Sequence, residues 1–445
     1  MTAGLKIRAV ELKHSMGWTP VHWARMGLRA SLHVTCLAAM LGQSPAKPAE
    51  DRPASVPSVP AQPSIRIPVE PLGYRVPGAA HPNESSPTDG VYLIDSDHLL
   101  FTFKPAVLLD RMTDCPPSDA DRIVRAVVVS LSSGKAENSA DWRLHDRGPF
   151  FWPLTGGRFL IRVRDRLLLT DRTLTLQPFL KVSHLTSVHV SPDGKLLILQ
   201  VETERHTPKK HKELMELARW SQSAPPQEDV RVLVINVETR KVIAESREKV
   251  PIYLALIREG FVETVPHMGH WTLRYVPFGG KPRTVAEFAS KCDPQTAVLN
   301  NDAVLLVTCP ASNGGRGANA IGMDGTRLWS IHANRDFAQE RLSASFDGSR
   351  VALSRLHLVN HANNLFPLIN DDNVTGQQIE VFDTDTGKLR ALGSASPANG
   401  FGENYALAPD GSRFAALNNH EIEVYNLPPA TPPSALFAKE PDATK

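Results

Sequence analysis

Short apolar runs separated by polar turns recur along the chain, and the clearest instance spans residues 403 to 427. The apolar run 405 to 408 leads into Pro409-Asp410-Gly411, which combines a residue of preset φ, a side chain that bonds the backbone ahead of it, and a glycine that accepts a left-handed conformation. A second run, 413 to 417, follows, and in 421 to 425 isoleucine and valine alternate with glutamate. This pattern predicts a meander of three antiparallel strands, one strand short of a four-stranded sheet.

The same unit recurs. Two further clear copies combine 188 to 201 with 230 to 246, and 343 to 356 with 377 to 392. Degenerate copies fill the rest, so that second strands are predicted near positions 100, 159, 197, 262, 305, 352 and 414. This spacing suits a repeat of about 40 to 50 residues. Because a lone sheet cannot bury both faces, the sheets must pack radially, which predicts an all-β fold: a β-propeller of seven blades, each a four-stranded antiparallel sheet.

Three short patterns carry a family resemblance. They are the proline, aspartate and glycine turns at 191 to 194 and 408 to 411, and the D-x-x-T-G-K turn from Asp383 to Lys388. On these patterns the chain resembles WD-repeat-like, TolB-like and quinoprotein-like propellers over roughly 89 to 427. The resemblance implies the fold but no single function, since such propellers include enzymes, scaffolds and translocation partners. The segment 320 to 329 also resembles the tryptophan docking motif of quinoprotein propellers, which implies that Trp329 packs between neighbouring sheets.

The amino terminus has the pattern of a targeting segment. Five basic residues and one glutamate precede residue 31, and an apolar run from 31 to 41 has the length of a signal-peptide core, too short to span a bilayer. We therefore predict a leader over 1 to 42, no transmembrane helix in the mature chain, and a periplasmic or secreted location. A disordered cytosolic extension is the alternative.

Residues 43 to 88 contain eleven prolines and predict an extended linker. Within it, 64 to 76 is the least polar part, and we expect it to add an outer strand to the last blade. The propeller is assigned to 89 to 428 and a tail to 429 to 445.

Composition and charge argue against one class of function, nucleic-acid binding. The chain is 42% hydrophobic and 22% charged, with a net charge of +2. The most basic cluster, Lys209 to Lys212, is flanked by glutamates, so no nucleic-acid partner is expected. We predict a monomer that binds a protein or another extracytoplasmic ligand.

The cysteines predict one covalent bond. A two-residue hairpin loop at Asn300-Asn301 would place Cys292 directly opposite Cys309, within reach of a disulfide. Such a bond requires an oxidising compartment, in agreement with the leader. Cys115 would then be unpaired, and two buried thiols in a cytosolic strand pair are the alternative.

Candidate chemistry is sparse. Histidines occur in near pairs, but a metal site needs three or four converging ligands, so no metal site is predicted. The oxygen-rich segment 370 to 376 lacks the spacing of an EF-hand and is interpreted as a turn. No phosphate loop, nucleophile elbow or cofactor signature is present, so no catalytic residue and no cofactor are predicted. The candidates for the mouth of the central channel are His184, His267, His270, Arg335 and His361.

Two insertions should lie on one rim of the ring, since 204 to 227 and 356 to 376 each separate the second and third strands of a blade. A helix is predicted over 210 to 220. Enlarged loops on a rigid scaffold favour recognition. The sequence therefore predicts an exported binding or scaffold propeller. The alternative is a propeller enzyme, such as a quinoprotein-like dehydrogenase subunit, a lactonase or a hydrolase.

Overall fold

The computed structural model describes residues 62–76, 88–106, 121–145, 150–202, 230–248, 254–267, 270–309, 317–332, 337–358, 374–399 and 403–430. The predicted leader, the helix over 210 to 220, most of the segment 370 to 376, and Cys115 lie outside these ranges. Within them the helical structure is a single 3-10 turn, Glu70–Leu72. No helix in the described ranges has the length and hydrophobicity needed to cross a membrane.

The described residues form twenty-eight strands, arranged in seven four-stranded antiparallel sheets. In six blades the four strands follow one another in chain order. Blade 1 contains β2 Gly90–Leu93, β3 His98–Phe103, β4 Arg122–Ser130 and β5 Ala136–Leu144; blade 2 contains β6 Phe151–Leu154, β7 Arg158–Val163, β8 Arg166–Thr170 and β9 Gln177–Lys181; blade 3 contains β10 Leu185–Val190, β11 Leu196–Glu202, β12 Val230–Asn236 and β13 Val242–Glu248. Blade 4 contains β14 Ala255–Ile257, β15 Gly260–His267, β16 His270–Pro277 and β17 Arg283–Phe288; blade 5 contains β18 Gln295–Asn300, β19 Ala303–Thr308, β20 Gly317–Gly322 and β21 Arg327–His332; blade 6 contains β22 Phe337–Ala344, β23 Arg350–Leu358, β24 Val374–Asp383 and β25 Leu389–Ala395. Blade 7 combines β26 Tyr405–Leu407, β27 Arg413–Asn418 and β28 Glu421–Asn426 with β1 Ile65–Pro68, the first strand of the chain.

The predicted second strands correspond to β3, β7, β11, β15, β19, β23 and β27, so the seven-bladed prediction is confirmed. At five of the seven junctions the first strands of neighbouring blades contact one another, which places the first strands on the inner ring.

Strand β27 explains why the blades must pack against each other. Phe414 and Ala416 point into the core shared with blade 6, whereas Ala415 and Leu417 point into the core shared with blade 1. Alternate side chains of a strand face opposite sides, and a neighbouring blade covers each side, so all four side chains are fully buried. Seven such cores link the seven blades. Representative pairs, from the junction of blades 1 and 2 onward, are Leu100 with Phe159, Leu160 with Leu197, Ile198 with Leu256, Val262 with Val304, Leu305 with Leu353, Val381 with Phe414, and Val424 with Phe101.

The ring closes through the expected outer strand. Strand β1 pairs antiparallel with β28, with Ile65 opposite Val424 and Ile67 opposite Ile422. Val69 and Tyr74 continue the segment and are buried in the core between blades 7 and 1. Strand β1 lies within the range 43 to 88 that the sequence assigns to a linker, so the propeller takes one of its strands from that range.

The two ends of the propeller differ in their connections. At one end, named here the turn end, strand one joins strand two and strand three joins strand four. At the other, the loop end, strand two joins strand three and each blade joins the next. The strand ends that flank the two insertions, between β11 and β12 and between β23 and β24, lie at the loop end, as the sequence predicts from their positions in the blades.

Turns at the turn end bond themselves and the neighbouring blade. Asp193 accepts hydrogen bonds from the Ser191 hydroxyl at 2.6 Å and the Lys195 amide at 3.2 Å. Gly194 has a φ of +68°, and a Cβ at this position would lie 2.5 Å from the Thr155 nitrogen of blade 2. Glycine is therefore required twice here, once for the left-handed backbone and once for the close approach.

A buried ionic triad closes the turn end of blade 6. Arg350 is fully buried and forms an ion pair with Asp383, its partner across the β23–β24 ladder. The Arg390 Nε donates to the second Asp383 oxygen at 2.6 Å, and Arg350 also donates to the Pro428 carbonyl of blade 7. The Asp383 carboxylate thus joins two arginines of blade 6, and Arg350 links the triad to blade 7.

Trp329 packs between blades 5 and 6, as the resemblance implies. Its indole stacks on Phe382 with the ring centroids 6.1 Å apart, and its Nε1 donates to the Thr384 carbonyl at 2.6 Å. The tryptophan is therefore part of the junction between these two blades.

Candidate functional site

The predicted channel-mouth residues belong to loop-end connections. His184 directly precedes β10, while His267 ends β15 and His270 begins β16. Arg335 falls between β21 and β22 and His361 between β23 and β24, but both lie outside the described residues. Their convergence with the histidines therefore remains a prediction.

The three described histidines do not form one site. His267 and His270 are directly opposite each other across a tight hairpin, and both are exposed. His184, also exposed, has a φ of +57° and accepts a hydrogen bond from the Glu202 amide through its carbonyl at 3.0 Å. His184 directly precedes blade 3, whereas His267 and His270 belong to blade 4, and no group of three metal-binding side chains occurs in the described part of the chain.

A different cluster lies near the channel at the loop end, where blades 7, 1 and 2 meet. Glu403 precedes β26, and its carbonyl accepts a hydrogen bond from the Val91 amide of blade 1 at 2.7 Å. Burial raises the pKa of the Glu403 carboxyl to about 7, and the nearby positive charge of Arg122 limits the rise. A carboxyl of this kind, desolvated beside a specific charge, is typical of functional sites.

Tyr92 contributes a buried hydroxyl to this cluster. The residue is 9% exposed, and its ring lies 4.6 Å from that of Phe151, centroid to centroid. The ring runs back along β2 over Gly90, where an added Cβ would lie 2.6 Å from the hydroxyl oxygen. Burial raises the pKa of Tyr92 well above its usual value, and the charge of Glu403 adds to the rise. A hydrogen bond with Thr102 offsets part of the rise, and the hydroxyl stays protonated near neutral pH.

Arg122 and Phe150 complete the cluster from blades 1 and 2. The Arg122 guanidinium carbon lies 5.4 Å from the centroid of the Phe150 ring, within range of a cation–π contact. Phe150 is itself buried at 2% exposure. The guanidinium thus has a defined position close to Glu403.

A buried amide network holds Glu403 from the blade 6 side. Asn404 is fully buried, and its Nδ2 donates to Gln377 Oε1 at 2.7 Å and to the Pro397 carbonyl at 2.9 Å. Gln377 in turn donates to the Ser354 hydroxyl at 2.7 Å. Because neighbouring blades hold both the carbonyl of Glu403 and the residue after it, the backbone of the cluster is preorganised.

The loop end also carries the predicted disulfide. Cys292 and Cys309 are bonded, with their Cα atoms 5.5 Å apart. The hydroxyl of Ser290 donates to the Cys292 carbonyl at 2.7 Å and accepts from the Cys309 amide at 3.1 Å. The bond therefore ties the start of blade 5 to the end of its second strand.

The register predicted for this pair is wrong by one residue. Val298 pairs with Val304 and Asn300 with Ala303, so the loop is Asn301-Asp302 and Leu299 is a bulge. Leu299 is buried in the core shared with blade 6, which explains why the extra residue is accommodated. Cys292 precedes β18, and the disulfide forms from this turn position.

The turn end offers a shallower feature. A pocket of ≈ 510 Å³ lies among turns of blades 7, 1 and 2 and includes Asp95, Asp171, Arg172 and Asp410 in its lining. Its carboxylates already cap turns: Asp171 accepts from the Thr173 amide at 2.8 Å, and Asp410 from the Ser412 hydroxyl at 2.6 Å. These contacts explain the carboxylates without a ligand.

Comparison with solved structures finds β-propellers. The chain is similar to an acylaminoacyl peptidase of Pyrococcus horikoshii, at 13% identity and a TM-score of 0.47, over 78% of this chain and 53% of that one. The β-propeller domain of the trilobed protease of Pyrococcus furiosus, described as having an open velcro topology, matches at 11% identity and a TM-score of 0.42, covering 78% and 99% of the two chains. The C-terminal WD40 domain of Sif2 matches at 12% identity and a TM-score of 0.36, covering 77% and 97%.

The chain spans about half the length of the acylaminoacyl peptidase chains it is similar to. At these identities the likeness concerns the fold alone. No protein-family model matches the sequence, and a search of curated proteins finds no significant match.

Sequence reasoning missed Glu403, Tyr92 and Arg122. They are separated by most of the chain and meet only because the last blade lies beside the first. One local signal was available: Glu403 is a carboxylate immediately before an inner strand of the clearest repeat. Nothing local pointed to Tyr92, which reads as an ordinary apolar strand residue.

Proposed function

We propose that this protein is an extracytoplasmic β-propeller that binds a protein partner through its loop end. The observation that carries the proposal is the contrast in polar groups. Carboxylates at the turn end cap their own turns, as Asp193 and Asp410 do. At the loop end the carboxyl of Glu403 lies in a preorganised cluster, where burial raises its pKa to about 7 beside the positive charge of Arg122.

The proposed location has two supports. A disulfide between Cys292 and Cys309 is stable in an oxidising compartment and rare in the cytosol. The amino-terminal pattern of basic residues followed by an apolar run is that of a leader. Mass spectrometry of the native protein tests both together, because export predicts a chain lacking the leader and two hydrogens lighter than its reduced form.

Site-specific photocrosslinking tests the binding surface. A photoreactive amino acid is placed at exposed loop-end positions, His184 and His267, and at exposed turn-end positions, Glu238 and Lys388, in the native organism. We expect adducts of one defined mass from the loop-end positions only. Adducts from the turn end alone, or from no position, would contradict the proposal.

One observation favours the enzyme alternative. A carboxyl with a pKa of about 7 suits general acid–base catalysis near neutral pH. Screening purified protein and the Glu403→Gln variant against ester, lactone and peptide substrates separates the two functions. Turnover that the variant loses while it stays folded supports an enzyme.

A further inference from the structure

Two like charges lie directly opposite each other at the loop end of blade 2. Arg166 begins β8 and Lys181 ends β9, and the two residues are paired across the ladder between these strands. Both are exposed, and neither side chain has an ion pair or a hydrogen bond in the described part of the chain. Directly opposed like charges destabilise a strand pair. The described residues therefore supply no contact that compensates this pair.

Other charges that face each other across the ladders are matched. A second pair of like charges, Arg231 and Arg247 in blade 3, is compensated because Glu245 accepts two hydrogen bonds from Arg231, at 2.6 and 2.9 Å. Four further pairs within the described ladders have opposite signs and form ion pairs: Arg66 with Glu423, Arg125 with Asp141, Glu263 with Arg274, and Arg350 with Asp383. The pair in blade 2 differs from all of these because its positive charge is left uncompensated.

Further positive charge lies beside this pair. Residues 162 to 166 and 181 to 184 carry four arginine or lysine side chains and one carboxylate. The basic residues are Arg162, Arg164, Arg166 and Lys181, and the carboxylate is that of Asp165. This part of the loop end is therefore a locally positive surface on a chain whose net charge is only +2.

Hydrogen bonds fix the backbone that carries these charges. The Asp165 carbonyl accepts from the Val182 amide at 2.8 Å and joins the β7–β8 hairpin to the end of β9. Arg162 donates to the Arg164 carbonyl and to the Thr186 carbonyl of blade 3, both at 3.2 Å. The two opposed cations therefore stand on a rigid support, which reduces the entropy that a bound ligand would cost.

We propose that Arg166 and Lys181 bind an acidic polypeptide segment of the partner. Aspartate or glutamate side chains of that segment supply the negative charge that this ladder lacks, and the guanidinium presents paired N–H groups that fit a carboxylate. Complementary charge of this kind also speeds association. That the partner is a protein rests on the proposed function, whereas the uncompensated positive charge does not.

One substitution separates binding from folding. Lys181→Glu places a negative charge opposite Arg166, so the melting temperature should rise slightly while the affinity for an acidic ligand falls. The probe is fluorescein-labelled octaglutamate, titrated with the full-length protein at about 0.05 M salt and followed by fluorescence anisotropy. Octaglutamine is the uncharged comparison and should not bind. We expect Lys181→Glu to weaken octaglutamate binding about tenfold, and about 0.5 M salt to weaken wild-type binding strongly.

Lys388→Glu is the matched control, because it makes the same charge change at an exposed turn-end position. It should leave the affinity for octaglutamate within about twofold of the wild-type value. A single-stranded octathymidylate and phosphatidylglycerol vesicles test other anionic partners. Both should bind more weakly than octaglutamate, since nucleic acid and membranes need a more extended basic face.

Four results would overturn the proposal: no binding of octaglutamate, an equal loss of affinity in Lys388→Glu, a lowered melting temperature of Lys181→Glu, or tighter binding of octathymidylate or the vesicles. Arg166→Glu is a second variant and should have the same two effects as Lys181→Glu. Photocrosslinking from His267 in blade 4 is independent of these titrations, so partner binding by the loop end can stand if the acidic-segment surface fails.

Discussion

Carboxylates at the turn end and the carboxyl of Glu403 at the loop end have different surroundings in this propeller. At the turn end, Asp193, Asp347 and Asp410 each accept hydrogen bonds from the turn that contains them. At the loop end, Glu403 is held by its backbone while its side chain lies in a buried cluster with Tyr92 and Arg122. The turn-end carboxylates therefore stabilise the turns that contain them, whereas the Glu403 carboxyl lies desolvated beside Arg122.

The largest effect should follow from breaking the buried triad of the turn end. Asp383→Asn removes the carboxylate that both Arg350 and Arg390 contact. Leaving the fully buried Arg350 and the partly exposed Arg390 without that charge should lower the free energy of unfolding by about 3–5 kcal/mol. Chemical denaturation measures the loss. Asp385→Asn, an exposed change in the same turn, is the control and should cost less than about 0.5 kcal/mol. Equal stabilities of the two variants would contradict this role.

The disulfide at the loop end should contribute to the stability of the folded protein. Replacing both Cys292 and Cys309 by serine opens a loop of sequence separation 17. The loop-entropy relation predicts a loss of about 3 kcal/mol. Reductant should lower the denaturation midpoint of the wild-type protein to that of the double variant and leave the double variant unchanged. A wild-type protein insensitive to reductant would show that the bond does not stabilise it.

Replacing one glycine at each end by alanine compares the packing of the two ends directly. Gly194→Ala at the turn end combines a φ of +68° with a contact of 2.5 Å to the backbone of Thr155, so we expect a loss of about 2 kcal/mol. Gly376→Ala at the loop end meets no atom within 4 Å and should be neutral or slightly stabilising. Thermal unfolding of the two variants decides the matter. Similar melting temperatures would mean that the contact between Gly194 and blade 2 accommodates a methyl group without loss of stability.

The smallest effect concerns pH. Because the pKa of Glu403 is raised to about 7 in the folded protein from a usual value near 4.5, the unfolded chain ionises first as pH rises. The free energy of unfolding therefore falls as pH rises from roughly 4.5 to 7 and stays lower above pH 7. The total loss is about 2 kcal/mol or less for this partly exposed side chain. Glu403→Gln should match the wild-type protein at pH 4 and exceed it in stability at pH 8, as measured by denaturation midpoints. A difference independent of pH would rule out the raised pKa.

Local rules predicted most of the fold. Turn residues and period-two alternation locate all seven second strands, from β3 to β27, because each hairpin depends on residues close in sequence. The outer strand β1 was also predictable, since the last unit lacked one strand and an apolar segment stood near the amino terminus. The Cys292–Cys309 pair was found from the same hairpin, although the bulge at Leu299 depends on packing against blade 6 and leaves no local signal.

The candidate site could not be predicted in the same way. Glu403 and Tyr92 come from the last and first blades, and Phe150 comes from the second. Their proximity depends on the angle between blades, which no alternation pattern encodes. The sequence analysis proposes histidines for the channel mouth because imidazole side chains often serve in functional sites. His267 and His270, however, lie on the second and third strands of a blade, away from the inner ring.

Pairing of β1 with β28 has a consequence for how the chain reaches its native state. Ser64 bonds the carbonyl of Val424 across a separation of 360 residues, so this contact has to wait until nearly the whole propeller has been synthesised. Contacts between such distant residues form slowly, because a very long loop must be closed before any interaction energy is gained. Until then the amino-terminal strand stays unpaired, and the ring stays open.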